Sequence, residues 1–262
     1  MASPEISIII PAYNEAKRIE YTLRSLISFF DEQAVEYEII VVMDGCDDGT
    51  DKIVLRMAEY HDRLIPLSYP RKLGKGGALI KGFQHARGEY LVMLDADNPI
   101  PSVDLFRLIR EAEDCGLVIG SRYVDDSKIV VGEPVLRIIL SRVFNLLVRL
   151  MFRELREIKD TQCGVKVLKR ETLKRICEKL FITDYVFDVN LIYSTIRSGF
   201  DVKEVGVTWR HDRELSKIRG LLKVSIRMLL SLIRLRIYYS RFKPILEFKL
   251  IRRLLGSLYR RF

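Results

Sequence analysis

Ile6 to Ile10 is an unbroken apolar run closed by Pro11, the pattern of a strand buried on both faces. Asn14 is then expected to cap a helix in which Ile19, Leu23, Leu26, Ile27 and Phe30 recur at helical spacing. The alternation repeats along the chain. Tyr37 to Val42 predicts a second strand, followed by the turn Asp44-Gly45-Cys46-Asp47-Asp48-Gly49 and a helix capped by Thr50. Leu64 to Tyr69 predicts a third, leading through Gly74-Lys75-Gly76-Gly77 into a helix bearing Ala78, Leu79 and Phe83. Tyr90 to Leu94 predicts a fourth, ending in Asp95-Ala96-Asp97, and Pro99 stops it. Ser102 is expected to cap a helix carrying Leu105, Phe106, Ile109 and Ala112, and Leu117 to Gly120 predicts a fifth strand. Short apolar strands alternating with amphipathic helices specify an α/β fold: a Rossmann-like, mostly parallel sheet with helices on both faces. Ligands of such sheets bind beyond the carboxyl ends of the strands.

The pattern changes after Arg122. Val135 to Arg153 is apolar, but Arg137, Ser141, Arg142, Asn145, Arg149 and Arg153 recur at three- and four-residue steps as a cationic stripe on one helix. A short strand over Val165 to Leu168 follows, then helices over about 170–180 and 187–198 and a strand through Val202, Val205 and Val207 ending at Trp209. From Ile218 the chain reads as basic amphipathic helices, with Arg219, Lys223 and Arg227 at steps of four. No apolar run reaches the roughly 18 residues that a membrane span requires, so these helices are expected to lie in a membrane interface. The division expected is a catalytic domain over residues 1–217, which includes the helix at about 135–153, and membrane-interface helices over 218–262.

Charge sharpens that division. The chain carries a formal +9, yet Arg213 to Phe262 holds fourteen Lys and Arg against only Glu214 and Glu247, a net +12, which leaves the first 212 residues at −3. A near-neutral body with a cationic tail suits an anionic surface, and the Leu- and Ile-rich tail, poor in Asn and Gln, fits lipid and excludes nucleic acid. Cys46, Cys115, Cys163 and Cys177 stand far apart, which indicates neither zinc nor disulfides, and Met1 to Glu5 lacks the regions of a signal peptide.

The fold rule collects candidate chemistry on one rim: Ala12, Tyr13, Asn14 and Glu15 after the first strand, Asp44 and Gly45 after the second, Arg71, Lys72, Lys75 and the glycines after the third, Asp95 and Asp97 after the fourth, and Ser121 and Arg122 after the fifth. Asp95 and Asp97 share a strand face and suit a divalent cation that keeps open positions for phosphate oxygens. Gly74, Gly76 and Gly77 resemble a phosphate loop whose free amides and Lys75 favour anions, but neither a Walker pattern nor a G-x-G-x-x-G at the first strand is present, which argues against a kinase, an ATPase or a dehydrogenase.

Taken in order, Ile8-Ile9-Ile10-Pro11-Ala12-Tyr13-Asn14-Glu15, Met43-Asp44-Gly45-Cys46-Asp47-Asp48-Gly49-Thr50, Gly74-Lys75-Gly76-Gly77-Ala78 and Asp95-Ala96-Asp97 resemble family 2 glycosyltransferases of the GT-A fold. Asp160-Thr161-Gln162-Cys163-Gly164-Val165-Lys166, Phe187-Asp188-Val189-Asn190-Leu191, Val207-Thr208-Trp209 and Ser216-Lys217 resemble the polyprenyl-phosphate branch, the dolichyl-phosphate glucose and mannose synthases. The resemblance implies a nucleotide-sugar donor, UDP-glucose ahead of GDP-mannose, a Mg²⁺ or Mn²⁺ cofactor, a polyprenyl (dolichyl) phosphate acceptor, and a peripheral or monotopic seat on the cytoplasmic face of a membrane. It implies that Pro11, Ala12, Tyr13, Asn14, Glu15, Asp44, Lys75, Gly76 and Ala96 bind the nucleotide sugar, with Asp95 and Asp97 straddling metal and donor. Arg122, Gln162 and Asp188 then join the two aspartates as catalytic residues, while Arg122, Arg137, Trp209, Arg210, Ser216 and Lys217 serve the acceptor phosphate. Met43 stands where the family has another Asp, Cys46 where it has Ser and Asn190 where Glu is common, and Asn98-Pro99 leaves a third metal ligand unassigned. An anionic acceptor phosphate needs little help from a base, so no single catalytic base is expected, and one-step displacement would invert the anomeric centre. The rival readings are a family 2 enzyme with a soluble or polysaccharide acceptor, which would require a catalytic carboxylate, and a non-catalytic nucleotide-sugar-binding membrane module. Removal of residues 220–262 is expected to weaken membrane association and spare donor binding.

Overall fold

The computed structural model describes residues 4–97, 100–131, 135–210 and 221–244. The isoleucine run forms β1 (Ile6–Ala12), buried on both faces because parallel strands flank it: β2 (Tyr37–Asp44) on one side and β4 (Tyr90–Leu94) on the other, with Ile6 opposite both Tyr37 and Tyr90. β3 (Leu64–Tyr69) pairs parallel to β2 at the sheet edge, and β5 (Leu117–Ser121) pairs parallel to β8 (Val202–Gly206) at the other. The helices α1 (Ile19–Glu32), α2 (Thr50–Ala58), α3 (Lys75–His85) and α4 (Ser102–Glu111) follow β1 to β4 in turn, and α6 (Arg170–Ile176) and α7 (Phe187–Arg197) precede β8. α1 packs on α2 and α4, and α3 packs on α7 and on β1, where Gly82 admits the side chain of Ile9.

One strand departs from the parallel pattern. β7 (Val165–Lys169) lies between β4 and β5 and runs antiparallel to both, with Leu94 opposite Val165 and Ile119 opposite Lys166, giving the seven-strand order β3-β2-β1-β4-β7-β5-β8. A five-residue strand pattern carries no information on direction; the connection decides it. Here the reversal matters, because it places the start of β7, and Gln162 to Gly164 before it, beside the carboxyl end of β4. The segment expected to end at Trp209 is also split: β8 stops at Gly206, and Trp209 lies in β9 (Thr208–Arg210), paired with β6 (Lys128–Val131) in a separate two-stranded sheet.

Three expected caps are not formed. Asn14 takes a left-handed φ of +58° in the turn after β1 and exchanges hydrogen bonds with Asp47, its Nδ2 donating to Asp47 Oδ1 at 2.6 Å, while α1 begins only at Ile19. Thr50 is the first helical residue of α2, and the capping acceptor is Asp48 Oδ1, 3.0 Å from Thr50 N. Ser102 likewise opens α4 behind Pro101, with no capping bond. Only at α2 does a neighbour, Asp48, take over the capping bond; α1 and α4 start without a side-chain cap.

α5 (Val135–Met151) buries Val148 and leaves Arg142 exposed, but it also turns part of its polar stripe inward and part of its apolar stripe outward. Asn145 is buried, its Oδ1 accepting from Thr161 Oγ1 at 2.7 Å, and Arg149 Nε donates to the Ile158 carbonyl at 3.2 Å. Ile139, Val143, Leu146 and Leu150, at steps of four, three and four, are at least half exposed. α8 (Leu221–Tyr238) buries Ser231, Leu232 and Leu235 completely, so it is seated on the body, and a cut at Gly220 would uncover core. Removal of residues 220–262 would therefore act on the packing of the body as well as on membrane association. Residues 218–220 and 245–262 lie outside the described residues.

The loop between α6 and α7 hangs on Asn190, whose Oδ1 accepts from Phe181 N (3.0 Å) and Ile182 N (3.2 Å) and whose Nδ2 donates to Lys179 O and Ser194 Oγ. Asn190→Leu strands two buried amides and is expected to lower unfolding free energy by about 3 kcal/mol in urea titration; a loss under about 1 kcal/mol would show that water or a shifted loop replaces these bonds.

Candidate functional site

Asp95 directly follows β4 at the rim and lies with Asp97 in a turn, not on a shared strand face as expected, and this turn is fixed from two sides. Thr22 Oγ1 of α1 donates to the Ala96 carbonyl at 2.8 Å. Gly164 lies so close to the Asp95 carboxylate that a Cβ there would overlap it. Lys75, the first residue of α3, sits 3.0 Å from Asp95 Oδ1 and 3.4 Å from Asp188 Oδ2, and Asp188 Oδ1 in turn lies 2.6 Å from Lys166 Nζ. Lys166 is fully buried and also donates to the Cys163 carbonyl at 2.6 Å. Asp95, Lys75, Asp188 and Lys166 thus alternate in charge and come from β4, α3, α7 and β7. Burial works against the Lys75 ammonium, but Asp188 and Asp95 overcome it and hold its pKa above the ordinary lysine value. Burial likewise works against the Asp188 carboxylate, and Lys166 and Lys75 together still draw its pKa down.

Asp97 has the opposite environment. Burial, and then the charge of Asp95, push its pKa up to about 6, against a weak pull from Arg18, whose Nη1 is 3.8 Å away. Its Oδ1 is buried with no hydrogen-bond partner, an orphaned oxygen of the kind a bound cation satisfies. The donor set is hard oxygen, which fits Mg²⁺ or Mn²⁺. No group of three or more His, Cys, Asp or Glu that could hold a metal occurs among the described residues, so the remaining positions fall to ligand oxygens or water.

On the β1 and β2 side, Asp44 accepts backbone hydrogen bonds from Leu73 and, at 2.9 Å, from Gly74, so this carboxylate also fixes the approach to α3. Lys72 Nζ lies 3.4 Å over the half-exposed ring of Tyr13. Glu15 pairs with Arg18, but its own burial still leaves its pKa raised. On the β5 side, Arg122 is gripped by Asp160, Nε to Oδ2 at 2.8 Å and Nη2 to Oδ1 at 2.9 Å, with Trp209 and Tyr123 rings at 5.0 and 5.3 Å from its guanidinium. Gln162 Nε2 is buried without a partner.

These groups open on one cavity of about 500 Å³. Its polar half is lined by Pro11, Ala12, Tyr13, Glu15, Asp44, Lys72, Lys75, Asp95, Ala96, Asp97, Arg122, Gln162 and Asp188. It continues between α5 and α8 along Leu140, Val143, Phe144, Leu147, Val224, Met228, Leu229 and Leu232, with Ser141, Ser225 and Tyr185 among them. Some expected rim residues stand elsewhere. Asn14 is turned to Asp47, and Gly76 is buried in α3, where a Cβ would come 2.5 Å from the Ile182 carbonyl. The glycines serve close packing, and the amide of Gly77, expected to be free for an anion, is taken by Thr183 O at 3.2 Å. Trp209 supports Arg122 from outside the cavity lining, and Arg210 is exposed on β9. The side chain of Arg137, and Ser216 and Lys217 entirely, lie outside the described residues.

Sequence reasoning gave no role to Lys166 or Asp160. Lys166 alternates with valines in a way that reads as a solvent-facing position; its one signal was the acid Asp188 in an otherwise apolar helix start.

The family model described as "Glycosyl transferase family 2" matches residues 7–177. The chain is 36% identical over 249 residues to the dolichyl-phosphate beta-glucosyltransferase of Dictyostelium discoideum, covering 89% of this chain and 74% of that protein. It is 34% identical to glycosyltransferase AglD of Haloferax volcanii over 87% of this chain, but spans only 37% of that protein's length. Among solved structures, the glucosyl-3-phosphoglycerate synthase of Mycobacterium tuberculosis in complex with Mn²⁺, UDP and glucosyl-3-phosphoglycerate superposes with a TM-score of 0.68 at 22% identity, over 88% of this chain and 80% of that one, a likeness of fold.

A carboxyl whose folded pKa of about 6 exceeds its unfolded value holds its proton more tightly when folded. Asp97 therefore costs nothing below about pH 4 and weakens the metal-free fold progressively as pH rises to about 6 and beyond. Asp97→Asn should raise metal-free stability by ~1–2 kcal/mol at pH 7.5, after allowance for partial solvent exposure, and leave it unchanged at pH 4. Denaturation in a chelator at both pH values checks this; equal effects at the two would refute it.

Proposed function

The chain belongs to glycosyl transferase family 2, and we propose that it moves a hexose, glucose from UDP-glucose ahead of mannose from GDP-mannose, onto a polyprenyl (dolichyl) phosphate at the cytoplasmic face of a membrane. One observation carries this reading: the cavity runs without partition from a cluster of carboxylates and cations into an apolar passage between α5 and α8. A soluble acceptor has no use for the second half. The likeness to the dolichyl-phosphate beta-glucosyltransferase of Dictyostelium discoideum supports the same transferred sugar and acceptor class.

In this reading Pro11, Ala12, Tyr13, Glu15 and Asp44 border the nucleotide, and Asp95 and Asp97, across Ala96, hold the cation. Mg²⁺ or Mn²⁺, when bound there, supplies Lewis-acid neutralisation of the departing diphosphate. The chain's own cations do the same work from fixed positions. Lys75 is held at the rim by two carboxylates, and Arg122 is held planar by Asp160, so neither has to reorganise as charge develops. Asp188 and Asp160 are unsuited to proton abstraction, since the first lies between two lysines and the second has both oxygens on Arg122. The acceptor is an anion already and requires neither. Attack opposite the departing group inverts the sugar, turning an α-linked donor into a β-linked lipid phosphate. Gln162 and Asp188 shape the sugar pocket, Trp209 backs Arg122, and Arg137, Arg210, Ser216 and Lys217 are assigned to acceptor phosphates by resemblance, as Asn14 and Gly76 are to the donor side.

No helix among the described residues is long and apolar enough to cross a membrane. The exposed Ile139, Val143, Leu146 and Leu150 of α5, with Leu229 and Ile233 of α8, instead offer an apolar face suited to insertion among headgroups, a peripheral or monotopic seat.

Radiolabelled glucose from UDP-glucose is expected to pass into organic-solvent-extractable lipid with β configuration, and Asp95→Asn should cut the rate by at least roughly 10²-fold. Label confined to the aqueous phase, or a retained α linkage, would refute the proposal. The double substitution Leu146→Asp and Leu150→Asp should weaken flotation with anionic phospholipid vesicles at least about tenfold while UDP-glucose affinity is kept; unchanged flotation would remove α5 from the interface.

A further inference from the structure

Asp184 does not line the cavity, yet it stands where three elements meet. Its Oδ2 accepts the hydroxyl of Ser231 from α8, and its Oδ1 accepts Val186 N at 2.9 Å, which closes the turn ahead of α7. One residue earlier the Thr183 carbonyl accepts Gly77 N, in the first turn of α3. A Cβ on Gly74 would overlap that same carbonyl, and one on Gly76 would meet Ile182 O. The backbone of residues 182–183 therefore touches the backbone on both sides of Lys75, with no flexible side chain between. Lys75 then bridges Asp95 and Asp188. The same loop is pressed on α8 next to Asp184, where the rings of Phe181 and Tyr238 lie 4.4 Å apart with the Arg234 guanidinium 5.1 Å over Phe181. Along this route the steps are backbone contacts, part-buried hydrogen bonds and the Lys75 ion pairs, and packed elements joined in this way shift together.

We infer that Asp184 is a positioning residue: through Ser231 it ties α8, which walls the apolar half of the cavity, to the backbone that carries Lys75 in the polar half. Seating of α8 then sets where the lysine ammonium stands. The consequence for turnover rests on the hexosyl-transfer reading; the consequence for the backbone does not. Loss of the tie frees residues 182–183 from α8, relaxes the Gly77 to Thr183 bond and lets Lys75 leave the bridge, while Asn190 still holds the loop's start.

Hydrogen exchange on the full chain reads the tie directly. Ser231→Ala, a small change on a helix face, is expected to raise exchange of amides 74–79 about tenfold while amides 80–85 of the same helix keep wild-type protection. Asp184→Ala should do the same, and Asp184→Asn, whose amide keeps an acceptor oxygen for Val186 N and a donor for Ser231 Oγ, should restore most of the protection. Unchanged exchange at 74–79 in both Ser231→Ala and Asp184→Ala, or a rise spread evenly over α3, would overturn the inference.

Kinetics with UDP-glucose and Mn²⁺ supply a second arm. Ser231→Ala should raise the donor KM about fivefold and add nothing further in a Lys75→Gln background, since the tie acts through that side chain. Losses that simply multiply in the double variant would overturn it. A wild-type chain that transfers from no nucleotide sugar would refute the transfer reading alone, and the exchange arm would still decide the role of Asp184.

Discussion

The ammonium of Lys75, shared between Asp95 and Asp188 with Lys166 behind, is the contact on which the rest of the structure depends. Asp188 and Lys166 are essentially without solvent, and a buried charge whose partner is withdrawn costs several kcal/mol. The four residues come from four elements, so none of β4, β7, α3 and α7 can shift by much without leaving one charge unpaired. Packing follows this requirement. Glycine stands at 164 because Asp95 occupies the space of a side chain, and at 74 and 76 because the loop before α7 must reach α3 closely enough for Asp188 to meet Lys75. The arrangement also leaves Lys75 with Asp188 as a partner whenever another cation claims Asp95, so binding at the rim does not strand a charge.

The antiparallel course of β7 belongs to the same constraint. Were it parallel to β4, Gln162 and Gly164 would leave the sheet at the end opposite to Asp95, and Asp160 could not grip Arg122 at the end of β5. A mostly parallel sheet brings loops from β1, β2, β4 and β5 to one rim; one reversed strand lets a segment that precedes a strand join those that follow. Arg122 and Lys75 are thereby held by carboxylates, Asp160 and Asp188, that belong to neither the loops after β1 and β2 nor the Asp-x-Asp turn.

Much of this was legible before any coordinates. The apolar runs from Ile6, Tyr37, Leu64, Tyr90 and Leu117 are strands within a residue or two, and Ala12, Tyr13, Glu15, Asp44, Lys72, Lys75, Asp95, Asp97 and Arg122, of the rim residues named from the carboxyl-end rule, line one cavity. What escaped shares one cause: local pattern says that a residue is polar, but not which partner it finds. Asn14 has the chemistry of a helix cap and bonds Asp47 across a turn. Lys166 has the alternation of an exposed residue and lies in the core because Asp188 arrives from twenty-two positions away. The glycines around Lys75 have the composition of a phosphate loop, and the space they leave is filled by the backbone of 182–183. The direction of β7 is decided by its connections, which five residues cannot encode.

α5 is the case where periodicity was sound and its usual interpretation failed. The helix carries an apolar stripe and a cationic, polar stripe, and in water the first faces the core. Here Asn145 and Arg149 face the protein because the segment 158–161 presents a hydroxyl and carbonyls that need partners, Thr161 to Asn145 and Ile158 to Arg149, and this segment must stay close so that Asp160 can hold Arg122. Ile139, Leu146 and Leu150 are left outside as the consequence, while Leu140, Phe144 and Leu147 turn toward α8 and wall the apolar passage. Stripes of this kind cost free energy against bulk water and gain it against hydrocarbon at roughly 25 cal/mol per Å². The polar contacts that orient Arg122 and the greasy face suited to lipid are therefore set by one orientation of one helix.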